Sequence, residues 1–192
     1  MEYIDNWPMF EKILAYYRYA KIMRYVKDIK DPVCVDIGCG FHGRFLFHIA
    51  KRMQKGIGFD LRANPIQRNN IEIINNSELD GRLPLEDGII DRTFLLAVIE
   101  HLDNADQVVS EGVRILKIGG KVVITTPTPL AKPVLEFLSY KLHFISEDSI
   151  REHRHYYNRR ELMELLEKCG CMIEKYKKFQ LGFNQIIVGR KV

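Results

Sequence analysis

The sequence has few cysteines and no long apolar stretch. Its four cysteines, Cys34, Cys39, Cys169 and Cys171, include no C-x-x-C pair, which argues against the usual zinc and dithiol sites and favours a reducing, cytoplasmic setting. The longest wholly apolar run, residues 94–99, is too short to cross a bilayer. Because the N-terminus lacks a basic stretch followed by an apolar run, we expect no secretory signal and no transmembrane segment.

An excess of charge of one sign is also lacking. The 29 Lys and Arg against 25 Asp and Glu leave a net charge of +4, without the strong basic stripe typical of nucleic-acid-binding domains. The charge balance therefore argues against a nucleic-acid partner. With 192 residues, 46% of them hydrophobic, the chain is long enough to enclose one core, so we expect residues 1–192 to form a single domain. The sequence predicts no particular oligomeric state.

Strands and helices alternate along most of the chain. Apolar residues at helical spacing predict an N-terminal helix over residues 9–29, whose apolar face contains Ile13, Leu14, Tyr17, Ile22, Tyr25, Val26 and Ile29. Further helices are expected over residues 43–54, from an Asp103 cap to Leu116, and after a capping box formed by Asn158 and Glu161. This alternation predicts a doubly wound α/β fold, in which a mostly parallel sheet is covered by helices on both faces. The predicted strands are residues 33–37, 57–60, 71–74, 89–98, 121–125, 171–179 and 183–188.

Residues 127–157 break this alternation. The segment contains three prolines and shows no clear pattern of two elements, so we interpret it as an insertion on the substrate side of the domain. Its apolar and aromatic content favours a small or lipid-like substrate, although the same residues would also pack a lid. Residues 1–30 are expected to form an N-terminal helix that covers the site.

The most informative motif is the turn that follows the first predicted strand. Asp36, Gly38 and Gly40 lie where a strand gives way to a helix, and glycines there let a ligand approach the backbone N–H groups closely. Any nucleotide-binding α/β fold has such a turn. Asp36 distinguishes between the classes of ligand, because an acid at this point would repel a pyrophosphate and favour a ligand with ammonium and sulfonium charges. S-adenosylmethionine is such a ligand.

A second carboxylate, Asp60, ends the next predicted strand. It lies 20 residues after Gly40, close to the spacing of ~20 residues at which an acid holds ribose hydroxyls in dinucleotide-binding folds. A surface aspartate at a strand end is the alternative, and the preceding glycine motif favours ribose binding.

The order of motifs resembles the class I S-adenosylmethionine-dependent methyltransferases, in the broad type 11 family that includes ubiquinone-biosynthesis and MetW-like enzymes. The resemblance implies a seven-stranded sheet with an antiparallel last strand, S-adenosylmethionine as cofactor and methyl transfer as activity. It also implies cofactor contacts from Asp36, Gly38, Cys39, Gly40, Asp60, Leu61, Glu78, Leu79 and Ala97. The segments that carry it are residues 35–40, 78–91, 97–102, 116–127 and 153–162.

The histidines leave several roles open. His101 follows the fourth predicted main strand, where it would act as a general base or orient the loop. His153 and His155, with Tyr156, are expected to line the substrate pocket. We predict no metal site, because no third ligand follows these histidines at a suitable spacing.

A local basic patch formed by Arg151, Arg154, Arg159 and Arg160 is either solvated surface or a site for an anionic substrate group. The sequence therefore predicts a methyltransferase with a small or lipid-like acceptor and no assigned catalytic residue except the candidate His101. Two alternatives stay open. One is a non-catalytic module that binds S-adenosylmethionine, and the other is a nicotinamide-dependent oxidoreductase, which both Asp36 and the absence of G-x-G-x-x-G spacing disfavour.

Overall fold

A computed structural model describes residues 9–76, 82–140 and 153–192, without the side chains of residues 9–11 and 136–140. Its helices are α1 (Met9–Lys27), α2 (Arg44–Ile49), α3 (Ala105–Arg114), α4 (Ala131–Tyr140) and α5 (Arg159–Lys168). Its strands are β1 (Val33–Ile37), β2 (Lys55–Asp60), β3 (Ile66–Arg68), β4 (Ile71–Asn75), β5 (Ile90–Leu96), β6 (Leu116–Pro127), β7 (Cys171–Phe179) and β8 (Asn184–Lys191). Short 3-10 turns span Ala50–Arg52, Ile99–His101 and Gln180–Gly182.

The strands form one sheet in the order β3-β4-β2-β1-β5-β6-β8-β7. The five strands β4, β2, β1, β5 and β6 are parallel, and β8 runs antiparallel to β6, as predicted for the last strand. The sheet has one strand more than predicted, because the short β3 adds an antiparallel edge to β4. Three residues are too few to show a periodic pattern, which explains why the sequence did not indicate β3.

Helices cover both faces of the sheet, which confirms the predicted class. Alternate residues of each central strand point to opposite faces. Cys34 of β1 packs with α1 and α2 in one apolar cluster, whereas Val35 packs with α3 and α5 in the other. Both clusters lie against the middle of the sheet, so its central strands are fixed from two sides.

The predicted apolar face of α1 is buried only in the second half of the helix, where Ile22, Tyr25 and Val26 belong to the core. In the first half the buried face is a different one. Ile13 and Tyr17 are 59% and 46% exposed, whereas Ala15, Tyr19 and Ile22 are buried. These three residues follow the i, i+4, i+7 spacing of one helical face, and that face meets α2 and the sheet. Near the end of the helix, the buried Arg92 of β5 donates to the Tyr25 carbonyl (2.9 Å) and pairs with Asp28 (2.6 Å), which attaches α1 to the sheet.

Of the two predicted helix caps, one is confirmed and the other is wrong. The Asn158 carboxamide accepts from the Arg160 and Glu161 N–H groups (2.8 and 3.1 Å), and Glu161 accepts from the Asn158 N–H (2.6 Å), so the predicted capping box is confirmed. The predicted Asp103 cap is wrong. Helix α3 starts after Asn104, whose side chain makes no capping bond, and Asp103 instead pairs with Arg154.

Residues 127–157 contain a helix, α4, that the sequence analysis did not predict. Pro133 does not interrupt this helix, because it lies in the first turn of α4, where a missing backbone N–H removes no helical hydrogen bond. In the part of the chain that the structure describes, no helix combines the length and apolarity that crossing a membrane requires.

Candidate functional site

The candidate site lies at the carboxyl edge of the sheet, where β1 is flanked by β2 and β5. Ile37 of β1 is level with Phe59 of β2 and Leu95 of β5, so the three strands end side by side. The chain leaves β1 toward β2 and later returns to β5 on the other side. Such a topological switch point opens a crevice in which α/β sheets bind ligands.

The glycine turn after β1 is held against β2. The N–H groups of Gly38 and Cys39 donate to the Phe59 carbonyl (2.7 and 3.1 Å). Gly38 and Gly40 both have left-handed backbones, with φ of 74° and 72°. A Cβ at Gly38 would lie 2.3 Å from a Val98 methyl carbon, whereas a Cβ at Gly40 would meet nothing within 4 Å. Gly38 is therefore required for packing, while Gly40 borders open space that a ligand can enter.

Asp36 is buried at the centre of this edge. Its side chain is 2% exposed, and its Oδ1 atom has no hydrogen-bond partner. Burial, and then the charge of Asp60, raise the pKa of Asp36 well above its ordinary value. Since a buried charge without a partner is costly, this carboxylate is positioned for a cationic group that arrives with a ligand.

Asp60 has a structural role in addition to its predicted one. Its Oδ2 accepts from the Gly40 N–H (2.9 Å) and its Oδ1 from the Arg62 N–H (2.8 Å), so it connects β2 to the glycine turn. Each carboxylate oxygen can accept a further bond, which leaves capacity for ribose hydroxyls. The adjacent Leu61 is 50% exposed at the same strand end.

Ala97 follows β5 in a left-handed conformation, with φ of 59°, that is strained for a residue with a Cβ. Its N–H donates to the Thr125 carbonyl of β6 (2.8 Å), which keeps the backbone in place. The strain turns the chain at once into the Ile99–His101 turn. Ala97 thus lies at the carboxyl edge beside Gly38, the position at which it was predicted to flank the cofactor.

A cluster of ionisable side chains follows this turn. The His101 and His153 rings lie 4.7 Å apart between centroids, and His153 Nδ1 is 2.8 Å from the Tyr156 hydroxyl. The 1% exposed Glu100 accepts from the Thr126 hydroxyl at 2.9 Å through one oxygen, while its other oxygen has no partner. Burial raises the pKa of Glu100.

Sequence reasoning did not include Glu100 among the site residues. The available signal was an acid at the end of the apolar run of residues 94–99, a position where burial of a charge needs a reason. His155 does not join the cluster. It contacts Glu161 (3.3 Å) and the Tyr157 ring (4.4 Å between centroids) instead.

Part of the chain is similar to a known protein family. Residues 35–124 match the family model described as a methyltransferase domain. Over this segment, which is slightly less than half of the chain, the sequence is similar to methyltransferase domains. The match runs from β1 into β6 and therefore includes the glycine turn, Asp60, Glu100 and His101, but not His153.

Individual known proteins are similar to this chain in part of their sequence or in their fold. A sterol 4-C-methyltransferase of Caenorhabditis elegans is 30% identical over 100 residues, which are 47% of this chain and 30% of that protein. The chain thus matches less than a third of the length of this curated relative. An S-adenosylmethionine-dependent methyltransferase from Mesorhizobium loti superposes with a TM-score of 0.68 at 16% identity, covering 90% of this chain and 96% of the other.

A chain from a complex that contains the Trm112 methyltransferase activator of Haloferax volcanii superposes with a TM-score of 0.69 at 14% identity. It covers 95% of this chain and 97% of its own length. These comparisons confirm the predicted fold, and the family-model match agrees with the predicted resemblance to methyltransferases. They do not select the ubiquinone-biosynthesis or MetW-like enzymes within the family.

The predicted adenine contacts and the predicted arginine patch are not brought together at the site by the described residues. Glu78 and Leu79, with Arg151 and the other residues of 77–81 and 141–152, lie outside the described residues. The described arginines of the predicted patch are engaged separately, because Arg154 pairs with Asp103, Arg160 with Glu164, and Arg159 lies over the Tyr176 ring. They do not converge on one anion-binding point.

The described residues also enclose two cavities. One, of about 800 Å³, is lined by residues of β8, α5 and the segment after β6, including Gln185, Asn158 and Leu130. The other, of about 600 Å³, lies between α1, α2 and β3, with Tyr16, Tyr19, His42, Arg44 and His48 in its lining. Neither lining includes Asp36, Gly38, Gly40, Asp60 or Ala97, so these two cavities are distinct from the crevice at the glycine turn.

Proposed function

We propose that this chain is an S-adenosylmethionine-dependent methyltransferase that acts on a small or lipid-like acceptor. The observation that carries the proposal is the buried carboxylate of Asp36, whose Oδ1 lacks a partner, beside the open face of Gly40. A cation fits this position and a pyrophosphate does not, which separates S-adenosylmethionine from the nicotinamide dinucleotides.

In this proposal, different residues bind different parts of the cofactor. We assign its amino-acid part to Asp36 and to the turn of Gly38, Cys39 and Gly40, its ribose to Asp60, and its adenine to Leu61 with Glu78 and Leu79. Ala97 flanks it from β5. When bound, the cofactor supplies a methyl group on a positively charged sulfur, which an acceptor nucleophile displaces in line. The protein contributes mainly alignment and exclusion of water, and alignment alone supplies on the order of several kcal/mol.

Helix α1 is suited to cover the site, as we propose for residues 1–30. Tyr19 is buried beside Asp36, and burial together with the Asp36 charge raises the pKa of Tyr19 to about 12. Arg18 of the same helix lies near enough to Glu100 for its positive charge to act on the pKa of Glu100, in the lowering direction. One helix therefore reaches both the glycine turn and the Glu100 cluster, and a covering element in this position would keep water from the transferred methyl group.

The acceptor is assigned to the side of the crevice that faces residues 127–157. His101, His153 and Tyr156 border it, and His155 lies on the same segment. Leu130 is 63% exposed and contributes, with Met163, an apolar part to the larger cavity, whose lining also includes charged residues. The likeness to a sterol methyltransferase points in the same direction, so sterols and small phenols or amines are the first acceptors to test.

Calorimetric titration with S-adenosylhomocysteine and, separately, with NAD tests the cofactor. We expect the first to bind and the second not to bind, and the reverse result would contradict the proposal. Uptake of labelled methyl groups by a panel of sterols, phenols and amines then tests the activity. Binding of S-adenosylhomocysteine without transfer to any acceptor class would favour the alternative of a non-catalytic binding module.

A further inference from the structure

We propose that Glu100, His101 and His153 form a binding site for a divalent transition-metal ion, with Zn²⁺ as the preferred class. One ligand atom from each residue lies within 4.8 Å of the other two. Within residues 9–76, 82–140 and 153–192, this is the group of three or more His, Cys, Asp and Glu side chains that meets this spacing. The proposal replaces the prediction from the sequence that there is no metal site.

The unpaired atoms of the cluster argue against an ordinary ion pair. Glu100 Oε1 and His101 Nδ1 are both buried and both lack a hydrogen-bond partner, so these two atoms do not bond to each other. A metal ion with ligands at ~2.0–2.2 Å keeps its ligand atoms about 3–4 Å apart. Small side-chain rotations would bring the present spacing into that range. An ion placed among them would satisfy both orphaned atoms at once.

The environment of His153 fits the role of a metal ligand. A histidine that binds a metal through one ring nitrogen commonly donates the other N–H to an oxygen, which fixes its tautomer. His153 Nδ1 lies 2.8 Å from the Tyr156 hydroxyl, which is an oxygen partner of this kind. Tyr156, predicted to line the substrate pocket, is then a positioning residue for His153.

The backbone fixes the segment of His153 against Glu100 as well. The N–H groups of Arg154 and His155 donate to the Glu100 carbonyl (2.8 and 3.3 Å). Thr126 of β6 fixes the second carboxylate oxygen of Glu100 at 2.9 Å. Two of the three ligands are therefore held by bonds that do not involve the metal, which reduces the loss of conformational freedom on binding.

The ligand set determines the class of ion. Two imidazoles with one carboxylate suit Zn²⁺ and other first-row divalent ions, whereas Mg²⁺ and Ca²⁺ prefer oxygen ligands. Three protein ligands leave at least one coordination position for water or for an oxygen of the acceptor. The site follows Ala97 at the carboxyl edge of β5, beside the proposed cofactor crevice, so it would orient an acceptor there. This role, but not metal binding itself, rests on the proposed function.

Zn²⁺ titration of the metal-stripped, untagged full chain tests the proposal, with competition against a chromogenic chelator as the readout. We expect one Zn²⁺ per chain, and binding that is weaker by about tenfold or more in His153→Gln and Glu100→Gln. Co²⁺ should give a visible spectrum in the wild type that both variants lose. His155→Gln and His48→Gln, which change histidines outside the cluster, should bind as the wild type does.

The controls make the outcomes distinct. Absence of stoichiometric Zn²⁺ binding, or loss of binding in His155→Gln rather than in His153→Gln, would overturn the proposal. Circular dichroism in EDTA verifies that each variant is folded, and Glu100→Gln serves if His153→Gln is not. Binding of S-adenosylhomocysteine is measured separately in EDTA. If it binds while Zn²⁺ does not, the metal site fails and the proposed function stands; the opposite result refutes the proposed function alone.

Discussion

Replacement of Asp36 by Asn should make the ligand-free protein more stable and its cofactor binding weaker. The substitution removes the charge and keeps the shape of the side chain. In the free protein the carboxylate is 2% exposed, has an unpartnered oxygen, and is repelled by Asp60. Removal of the buried charge relieves its desolvation cost and the repulsion by Asp60, and because the Asn carboxamide still needs hydrogen-bond partners we expect a net gain of about 1–3 kcal/mol. For a domain of this size, each kcal/mol raises Tm by about 2–4 °C.

The effect on binding has the opposite sign. At an effective dielectric constant of ~20, a carboxylate and a cation ~4 Å apart attract each other by about 4 kcal/mol. Desolvation of both groups cancels part of this, so we expect a loss of roughly 2 kcal/mol, or about 30-fold in Kd. Calorimetry with S-adenosylhomocysteine, which retains the ammonium group, measures this loss, and thermal unfolding measures Tm.

Asp91→Asn is the matched control. Asp91 accepts from the Val33 N–H (2.9 Å) and pairs with Lys117 (2.8 Å), so its carboxylate already has partners in the free protein. The control should lower Tm and leave the affinity for S-adenosylhomocysteine unchanged. If Asp36→Asn lowered Tm as the control does and bound the ligand normally, Asp36 would be a structural residue and the electrostatic argument would be wrong.

Three further predictions concern the turn, the pH dependence and a helix cap. Gly38→Ala should lower the free energy of unfolding by about 2–4 kcal/mol, because the new methyl group collides with Val98 and the backbone is strained. Gly40→Ala should lower it by only about 1–2 kcal/mol but abolish binding of S-adenosylhomocysteine. Denaturant unfolding measures the first quantity and calorimetry the second. The pKa of Asp36 is raised in the folded protein, so ionisation of Asp36 disfavours folding at neutral pH. The stability advantage of Asp36→Asn should therefore shrink as the pH falls below this raised pKa. It should vanish below the pKa of ~3.9 that an aspartate has in the unfolded chain. An advantage independent of pH would refute this assignment. Asn158→Ala removes the capping box and should lower Tm by about 2–4 °C, a loss of ~1 kcal/mol, and an unchanged Tm would contradict the capping role.

Local patterns were sufficient for most of the architecture. The apolar strands before Asp36 and Asp60 and the capping box at Asn158 are signals within a few residues, so they do not depend on distant parts of the chain. The parallel order of the sheet and its antiparallel last strand followed from this alternation and from the family resemblance. Local patterns failed where they were short or ambiguous, as at β3 and at Pro133 in α4.

The sequence by itself determined the fold class, the glycine turn and the carboxylates that border it, because strand periodicity and turn chemistry are local properties. Only the tertiary structure decided which groups meet. Burial of the Asp36 charge without a full set of partners, and the approach of His153 to Glu100 and His101, depend on how β1, β5 and the segment before α5 converge. No spacing along the chain encodes such convergence, since it results from packing of the whole sheet.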